Sequence, residues 1–427
     1  VSRGAVLAVL LLLASDGIAA CPARVNVRGR LPGVRAQQEQ VAYWLRRRKD
    51  ADTPVLSVAD IGAVDARGES LLDPVDVAKV RRQVASLETL ARARLTEKKW
   101  LDAGGRPLDP ATLPELAWEP PSLDPHLRVV LAPVQLRCLP LVRPLRAADD
   151  TEHVDDANAC SMLHPQEVVQ ILAEGPGTQR LVRTRYAIGW IGGAAPLSPR
   201  APEAFGHALV RGERVMAPHA VRLGPAEIPA RTSLPLVPER PDRVLVGTKV
   251  GVVEARRDDA LVTVRRPLTR RAIFEAVFPL LGRPYGLGGT AGGIDCSALI
   301  LDAFASVGLD VPRHSSDQAR AGTSTVDLRG IDDVAVRLAR LDAADHQGLV
   351  VLYLPGHVAL YLGRDADGVP MALHALGSFR TACADGSGET KHVVRRVVVS
   401  GLDLGAGTRE GSLLQRLETL AVFGTPR

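Results

Sequence analysis

One cysteine, one aspartate and two histidines are the residues of this sequence whose types and order suit a reaction. In the stretch GGIDCSALI, residues 292–300, Cys296 follows Asp295 and opens an apolar run. Two histidines lie downstream, His357 in GHVALYLG and His374 in GVPMALHALG. A thiol attacks a carbonyl carbon when a base takes its proton and later returns it to the leaving amine. An imidazole suits that exchange, and a second imidazole can orient the first through its other ring nitrogen. A lone buried cysteine is usually inert packing and a lone strand histidine is usually just hydrogen-bonded, so the reading depends on all three acting together. No HExxH or CxxC pair occurs, and neither a metal nor another cofactor is expected. GLGGTAGG is not a dinucleotide loop, because Ala291 breaks its third glycine and no strand precedes it.

The elements that must position these residues can be read locally. From Ser297, the residues Leu299, Ile300, Ala303, Phe304 and Val307 keep helical spacing up to Gly308, with Asp295 as the expected N-cap. Cys296 then sits in the first turn, where the helix dipole favours a thiolate and lowers its pKa. His357, Ala359 and Tyr361 share one face of a strand, and Ala372, His374 and Leu376 one face of the next, with RDADG as the turn between them. A loop of even length puts both histidines on one face; an odd loop or a bulge separates them. A helix-borne cysteine followed by strand-borne histidines predicts an α+β domain.

At 427 residues the chain is long enough for two to four domains. Its hydrophobic share of 46% and charged share of 24% are those of a soluble globular protein. The net charge of +5 suits an anionic partner such as a cell-wall polymer. Aromatic residues are only 4% and no zinc-finger spacing occurs, which speaks against nucleic acid as the partner. Arg3, the apolar run from Ala5 to Ala14 and the small residues after it form a signal-peptide pattern, so export to the cell envelope is expected. Ile18-Ala19-Ala20-Cys21 resembles a bacterial lipobox, which implies a lipidated Cys21 as membrane anchor on the periplasmic side. With Cys21 acylated and Cys296 catalytic, Cys138 and Cys160 can pair within one small domain and Cys383 is left over; sequence alone leaves the connectivity open.

Between the leader and the cysteine, Val77, Val80, Val84, Leu87 and Leu90 recur on one face of a helix opened by Asp73-Pro74. EPPSLDP, residues 119–125, is a proline-rich boundary. EVVQILAEG, a break at Gly175-Pro176-Gly177, and RLVRTRYAIGWIGG follow, and this pattern resembles a bacterial SH3-like barrel with Trp190 as its core aromatic. RVLVGTKVGVVEARRDDALVTVRR, with a turn at Asp258-Asp259, resembles a second such barrel. The expected order is a signal peptide at 1–20, a helical domain at 21–118, barrels at 119–198 and 199–266, and the cysteine domain at 267–427.

GRPYGLGGTAGGIDCSALILDAFASVGLDVPRHSSDQ resembles the core motif of the NlpC-type cell-wall cysteine peptidases: Pro-Tyr, Gly-Gly, Asp-Cys-Ser, a helix, then Pro-Arg-x-Ser-x-x-Gln. The two histidine strands resemble theirs, over about residues 267–400. The resemblance implies a papain-like fold and a peptidoglycan stem peptide or murein fragment as substrate. The bond implied is that between γ-D-glutamate and the diamino acid. It assigns catalysis to Cys296, His357 and His374, and substrate contacts to Tyr285, Asp295, Ser297, His314 and Ser315. Leu287 stands where many members have Trp, Ala298 where a glycine is usual, and His314 where recycling-type members hold a free L-Ala amine with Asp. A neutral imidazole attracts an ammonium less than a carboxylate does, which favours peptides still attached to glycan. The rival readings are a non-catalytic cell-wall-binding lipoprotein and a thiol acyltransferase on the same scaffold.

Overall fold

The computed structural model describes residues 21–65, 70–97, 100–101, 105–107, 122–141, 144–148, 156–175 and 177–425. The leader expected at 1–20 and the first residues of EPPSLDP lie outside them. The architecture is a mixed α/β chain with several cores.

The C-terminal part builds a seven-stranded sheet. Its strands run, in spatial order, Arg24–Asn26, Glu389–Gly401, Pro370–Ala382, His357–Arg364, Leu349–Leu354, Thr419–Phe423 and Ser324–Asp327. Strand alternation divides their side chains between two layers. Val358, Leu360, Leu362 and Leu373 pack with Leu299, Ile300, Ala303 and Phe304 of the cysteine helix, Cys296–Ala305. Ala359, Tyr361 and Ala372 pack on the other face with Leu341 and Ala344 of the helix Val334–Gln347. Burial on both faces explains why these strands read as nearly unbroken apolar runs. Each fully buried Leu or Phe contributes roughly 1.5–3 kcal/mol.

Residues 21–118, expected as one helical domain, are shared between two cores. Tyr43, Trp44, Leu56 and Ile61 join the core of the cysteine helix. Val80, Val84 and Leu87, from the helix Val77–Glu97, pack instead with Cys138, Cys160, Leu172 and Trp190. The reason is that these short amphipathic pieces offer one apolar stripe each, and the neighbouring β units supply the partner surface.

Arg24–Asn26 pairs in parallel with Lys391–Val393 and covers the sheet edge. The adjoining Cys21 is disulfide-bonded to Cys383. A sulfur in a disulfide has no valence left for a thioether, so this bond and the expected lipidation of Cys21 exclude each other. Cys383, left over in the sequence reading, is the partner. Cys138 and Cys160 form the second disulfide.

Between these parts lie two β units. One is a six-stranded sheet, ordered His126–Val129, Val168–Glu174, Arg180–Arg183, Ile188–Ile191, Val134–Arg137, Ala159–Leu163. Trp190 is 1% exposed in its core, as a packing residue. The other is a five-stranded sheet from Arg214 to Thr263, over which the helix Gly206–Arg211 packs. Its main hairpin turns at Lys249-Val250, with Thr248 paired to Gly251. The turn at Asp258 follows it, held by Asp258 Oδ1 accepting from the Ala260 N–H.

Candidate active site

Asp295 caps the cysteine helix: its carboxylate accepts from the Ala298 N–H at 2.9 Å. Cys296 is the first helical residue and the only free cysteine among the described residues. The thiol is not the helix-tip thiolate that the dipole suggests. Burial, and then the negative charge of Asp295, push it up to about 12, against the backbone N–H groups of Val358 and Ser297 and the charge of Arg313. A dipole of about half a charge at a helix end does not offset removal of a thiolate from water next to a full carboxylate charge.

The histidines come together through two errors of parity that cancel. Arg364 pairs with Pro370, so the hairpin loop spans 365–369, an odd number of residues that by itself separates the histidines. The register then shifts between Tyr361 and Gly363, and beyond the bulge Tyr361 faces Ala372 and Leu360 faces Leu373. The extra residue restores the common face. His357 Nε2 and His374 Nδ1 are 2.7 Å apart, and His374 Nε2 lies 3.1 Å from the Ser400 hydroxyl. His374 and Ser400 are both fully buried. Burial pushes His357 down to about 4, helped by the charge of Arg416 and opposed by Asp295. Burial, then the neighbouring His357, hold His374 well below the usual range.

Cys296 meets the start of this strand at Val358, whose N–H acts on the sulfur. Among the described residues no hydrogen bond joins Cys296 to His357. At neutral pH the site therefore holds a neutral thiol and two neutral imidazoles.

On the other side of the cysteine lies a charged cluster. Arg313 donates to Asp295 Oδ2 at 2.5 Å, to the Ser297 hydroxyl at 2.6 Å and to the Ser161 hydroxyl at 3.0 Å. Asp295 Oδ2 also accepts from the Gly288 N–H at 2.8 Å. Burial would raise the Asp295 carboxyl, but the Arg313 guanidinium against it wins and holds it below the ordinary value. Ser161 belongs to the six-stranded sheet, so this cluster crosses the seam between two units. Gln135 of the same sheet donates to the Gly288 carbonyl at 2.9 Å. Gly288 has φ +60°, and a Cβ on it would lie 2.5 Å from the Ala159 carbonyl oxygen. Gly288 is thus fitted to a neighbouring backbone, and a Cβ on Gly289 would lie 2.7 Å from Met162 Cβ.

Asp295 and Ser297, expected to touch substrate, are 3% and 6% exposed, with their polar atoms engaged inside this cluster. Tyr285 is half-buried against the cysteine core, with the Arg395 guanidinium 5.8 Å from its ring centre. Ile294, just before Asp295, donates to the Pro284 carbonyl at 2.9 Å and so ties the tyrosine turn to the helix tip. His314 precedes the short helix Ser315–Gln318, and both His314 and Ser315 are half-buried. Arg313 and Gln318 stand in the Pro-Arg-x-Ser-x-x-Gln motif, and their residue types alone point to no role. Gln318 donates to the carbonyls of Ser297 and Pro312, each at 2.8 Å. Ser161 and Ser400 carried no local signal.

A cysteine at a helix tip and a hydrogen-bonded pair of strand histidines stand in one mixed α/β domain, residue types able to supply a nucleophile and a base. Residues 282–395 match the NlpC/P60 family. The chain is 31% identical over 138 residues to the gamma-D-glutamyl-L-lysine dipeptidyl-peptidase of Bacillus subtilis, covering 32% of this chain and 44% of the relative. It is 34% identical over 113 residues to a probable endopeptidase of Corynebacterium glutamicum, covering 26% and 44%. The chain thus spans less than half the length of these curated relatives. The solved structure of an NlpC/P60 endopeptidase from Photobacterium damselae subsp. piscicida shares the fold over 94% of this chain and 97% of that one, with a TM-score of 0.65 at 14% identity.

Proposed function

We propose that this protein is a cell-wall cysteine endopeptidase that hydrolyses the γ-D-glutamyl–diamino acid bond of peptidoglycan peptides. The hydrogen-bonded pair His357–His374 beside the capped Cys296 carries the reading. The B. subtilis relative, named for a γ-D-glutamyl-L-lysine bond, supports the choice of bond. The domain is papain-like in this reading, and the two β units are SH3-like modules that shape the groove.

The Cys296 sulfur attacks the γ-carbonyl carbon while its proton passes to His357. The C–N bond breaks, His357 returns the proton to the leaving amine, and the thioester that remains is hydrolysed by water. His357 has only Nδ1 free for this exchange, because Nε2 is bonded to His374. A thiol held up to about 12 and an imidazole held down to about 4 rest as neutral partners, and the ion pair forms only when substrate closes the contact. Tyr285 hydrogen-bonds the oxyanion or the substrate, and His314 and Ser315 line the peptide end. Two disulfides favour export to an oxidising compartment such as the cell envelope.

The test compares the protein with Cys296→Ala. Each is incubated with L-Ala-γ-D-Glu-diaminopimelate, free and N-acylated, and with intact sacculi, and products are read by mass spectrometry. Release of the diamino acid part by the unaltered protein alone is the expected result. Sacculus binding without cleavage by either protein would overturn the reading in favour of a wall-binding protein.

A further inference from the structure

The hydrogen-bond chain does not end at the second histidine. We propose that Ser400 is a positioning residue for the proton transfer, acting through His374 as the acceptor that lets His357 become an imidazolium. This rests on the reading of His357 as the base.

The argument is one of hydrogen-bond direction. An imidazolium has two N–H groups and no acceptor. When His357 takes the thiol proton on Nδ1, its Nε2 must donate, and its partner among the described residues is His374 Nδ1 at 2.7 Å. His374 Nδ1 must then be an acceptor, and a neutral His374 carries its hydrogen on Nε2. That N–H points at the Ser400 hydroxyl 3.1 Å away, in a site where both residues are 0% exposed. Both side chains are closed to bulk solvent, so without the hydroxyl a buried donor would be left without a partner in the protonated state. In the resting state the same hydroxyl can donate instead, because a serine offers one donor and two acceptor lone pairs. With the hydroxyl donating, the hydrogen of neutral His357 would sit on Nδ1 and block proton uptake there, so the transfer needs the direction in which Ser400 accepts. A carboxylate in this place would hold one direction only and would add a buried charge. Ser400 stands on Glu389–Gly401, where it pairs with Ala372, two residues before His374, so the sheet register fixes its place.

The experiment uses the full chain, Ser400→Ala and Ser400→Thr, with the nitrogen-15 shifts of both histidines followed against pH. Kinetics on the susceptible stem peptide are measured alongside. In Ser400→Ala the kcat should fall about 10- to 100-fold, the size expected for one buried donor without an acceptor, with KM nearly unchanged. Protonation of His357 should move to lower pH, and the acidic limb of kcat/KM with it. Ser400→Thr, which keeps the hydroxyl, should restore the titration and most of the rate. An active parent with a Ser400→Ala variant whose His357 titration, limb and kcat are unchanged would overturn the proposal. If the parent cleaves no peptide or sacculus, the proposed function fails on its own. The His357 titration then still decides this proposal: a downward move in Ser400→Ala upholds it, and no move overturns it.

Discussion

Two buried polar clusters flank Cys296, and they are built on opposite principles. Arg313, Asp295, Ser297 and Ser161 form a charged cluster in which Arg313 has three side-chain partners and Asp295 accepts from two backbone N–H groups besides. His357, His374 and Ser400 form a neutral chain of two bonds. The first fixes geometry, since a fully paired buried ion is costly to move. The second is suited to hold a proton, since its members rest uncharged and its last member, a hydroxyl, can accept from His374. The two kinds of cluster should fail differently when broken.

The largest effect is expected on stability from the charged side. Arg313→Met leaves the Asp295 carboxylate buried without its counter-charge, and loss of one partner of such a pair costs about 3–5 kcal/mol. A denaturant titration should show this loss, and Asp295→Asn added to Arg313→Met should recover part of it. Equal stability of the parent and Arg313→Met would erase the distinction between the clusters.

Next comes a loss of rate without comparable loss of fold. His374→Asn removes the orienting imidazole but leaves no stranded charge. A kcat lowered by about 100-fold or more, with a melting temperature within a few degrees of the parent, is the expected outcome. A variant that unfolds as readily as Arg313→Met would make the histidine chain structural. Smaller again is Gly288→Ala, which asks a Cβ to sit at φ +60° against the Ala159 carbonyl. It should cost about 1–3 kcal/mol from the backbone conformation alone and weaken the seam between the six-stranded sheet and the cysteine domain. Limited proteolysis across that seam, faster in the variant than in the parent, is the readout.

What the sequence made legible follows the same division. The Asp295 cap and the Cys296 helix are local, and spacing alone located them. The pairing of the histidines was reached by a rule about even loops, yet an odd loop and a bulge at Leu362 deliver it together. Neither departure is written in RDADG. The state of the thiol was misread because a helix dipole is visible in sequence, whereas burial and the Asp295 charge require the assembled core. Ser161 and Ser400 lie far along the chain from the residues they serve, and a serine in an apolar strand announces nothing. Cys21 was read by its neighbours as a lipid site; its bond to Cys383 closes a separation of 362 residues, beyond the reach of any local pattern.

The smallest effects concern pH, and there the comparison becomes one of sign. His357 is held down to about 4 and His374 lower still, whereas an unfolded histidine titrates near 6.5. As pH falls through 6.5 the unfolded chain binds protons that the folded site refuses, so the stability these histidines confer is full above that value and is lost below it. Each such group contributes a slope of about 1.4 kcal/mol per pH unit. Asp65 does the reverse. Burial, then the charge of Asp310, push it up to about 6, so between 6 and its ordinary value the folded chain binds a proton that the unfolded chain lacks. Asp65 also ties distant parts of the chain together, pairing with Arg265 at 2.7 Å and accepting from the Asp310 N–H at 3.1 Å. Differences between parent and variant isolate each group from the other carboxyls. Measured by denaturant at pH 7 and pH 5, the parent should lose stability relative to His374→Asn on acidification and gain it relative to Asp65→Asn. Opposite movements of the two differences are the expected result. Movements of the same sign would mean that the histidine pair takes up protons in the folded state, and the neutral chain would have to be redrawn as a charged one.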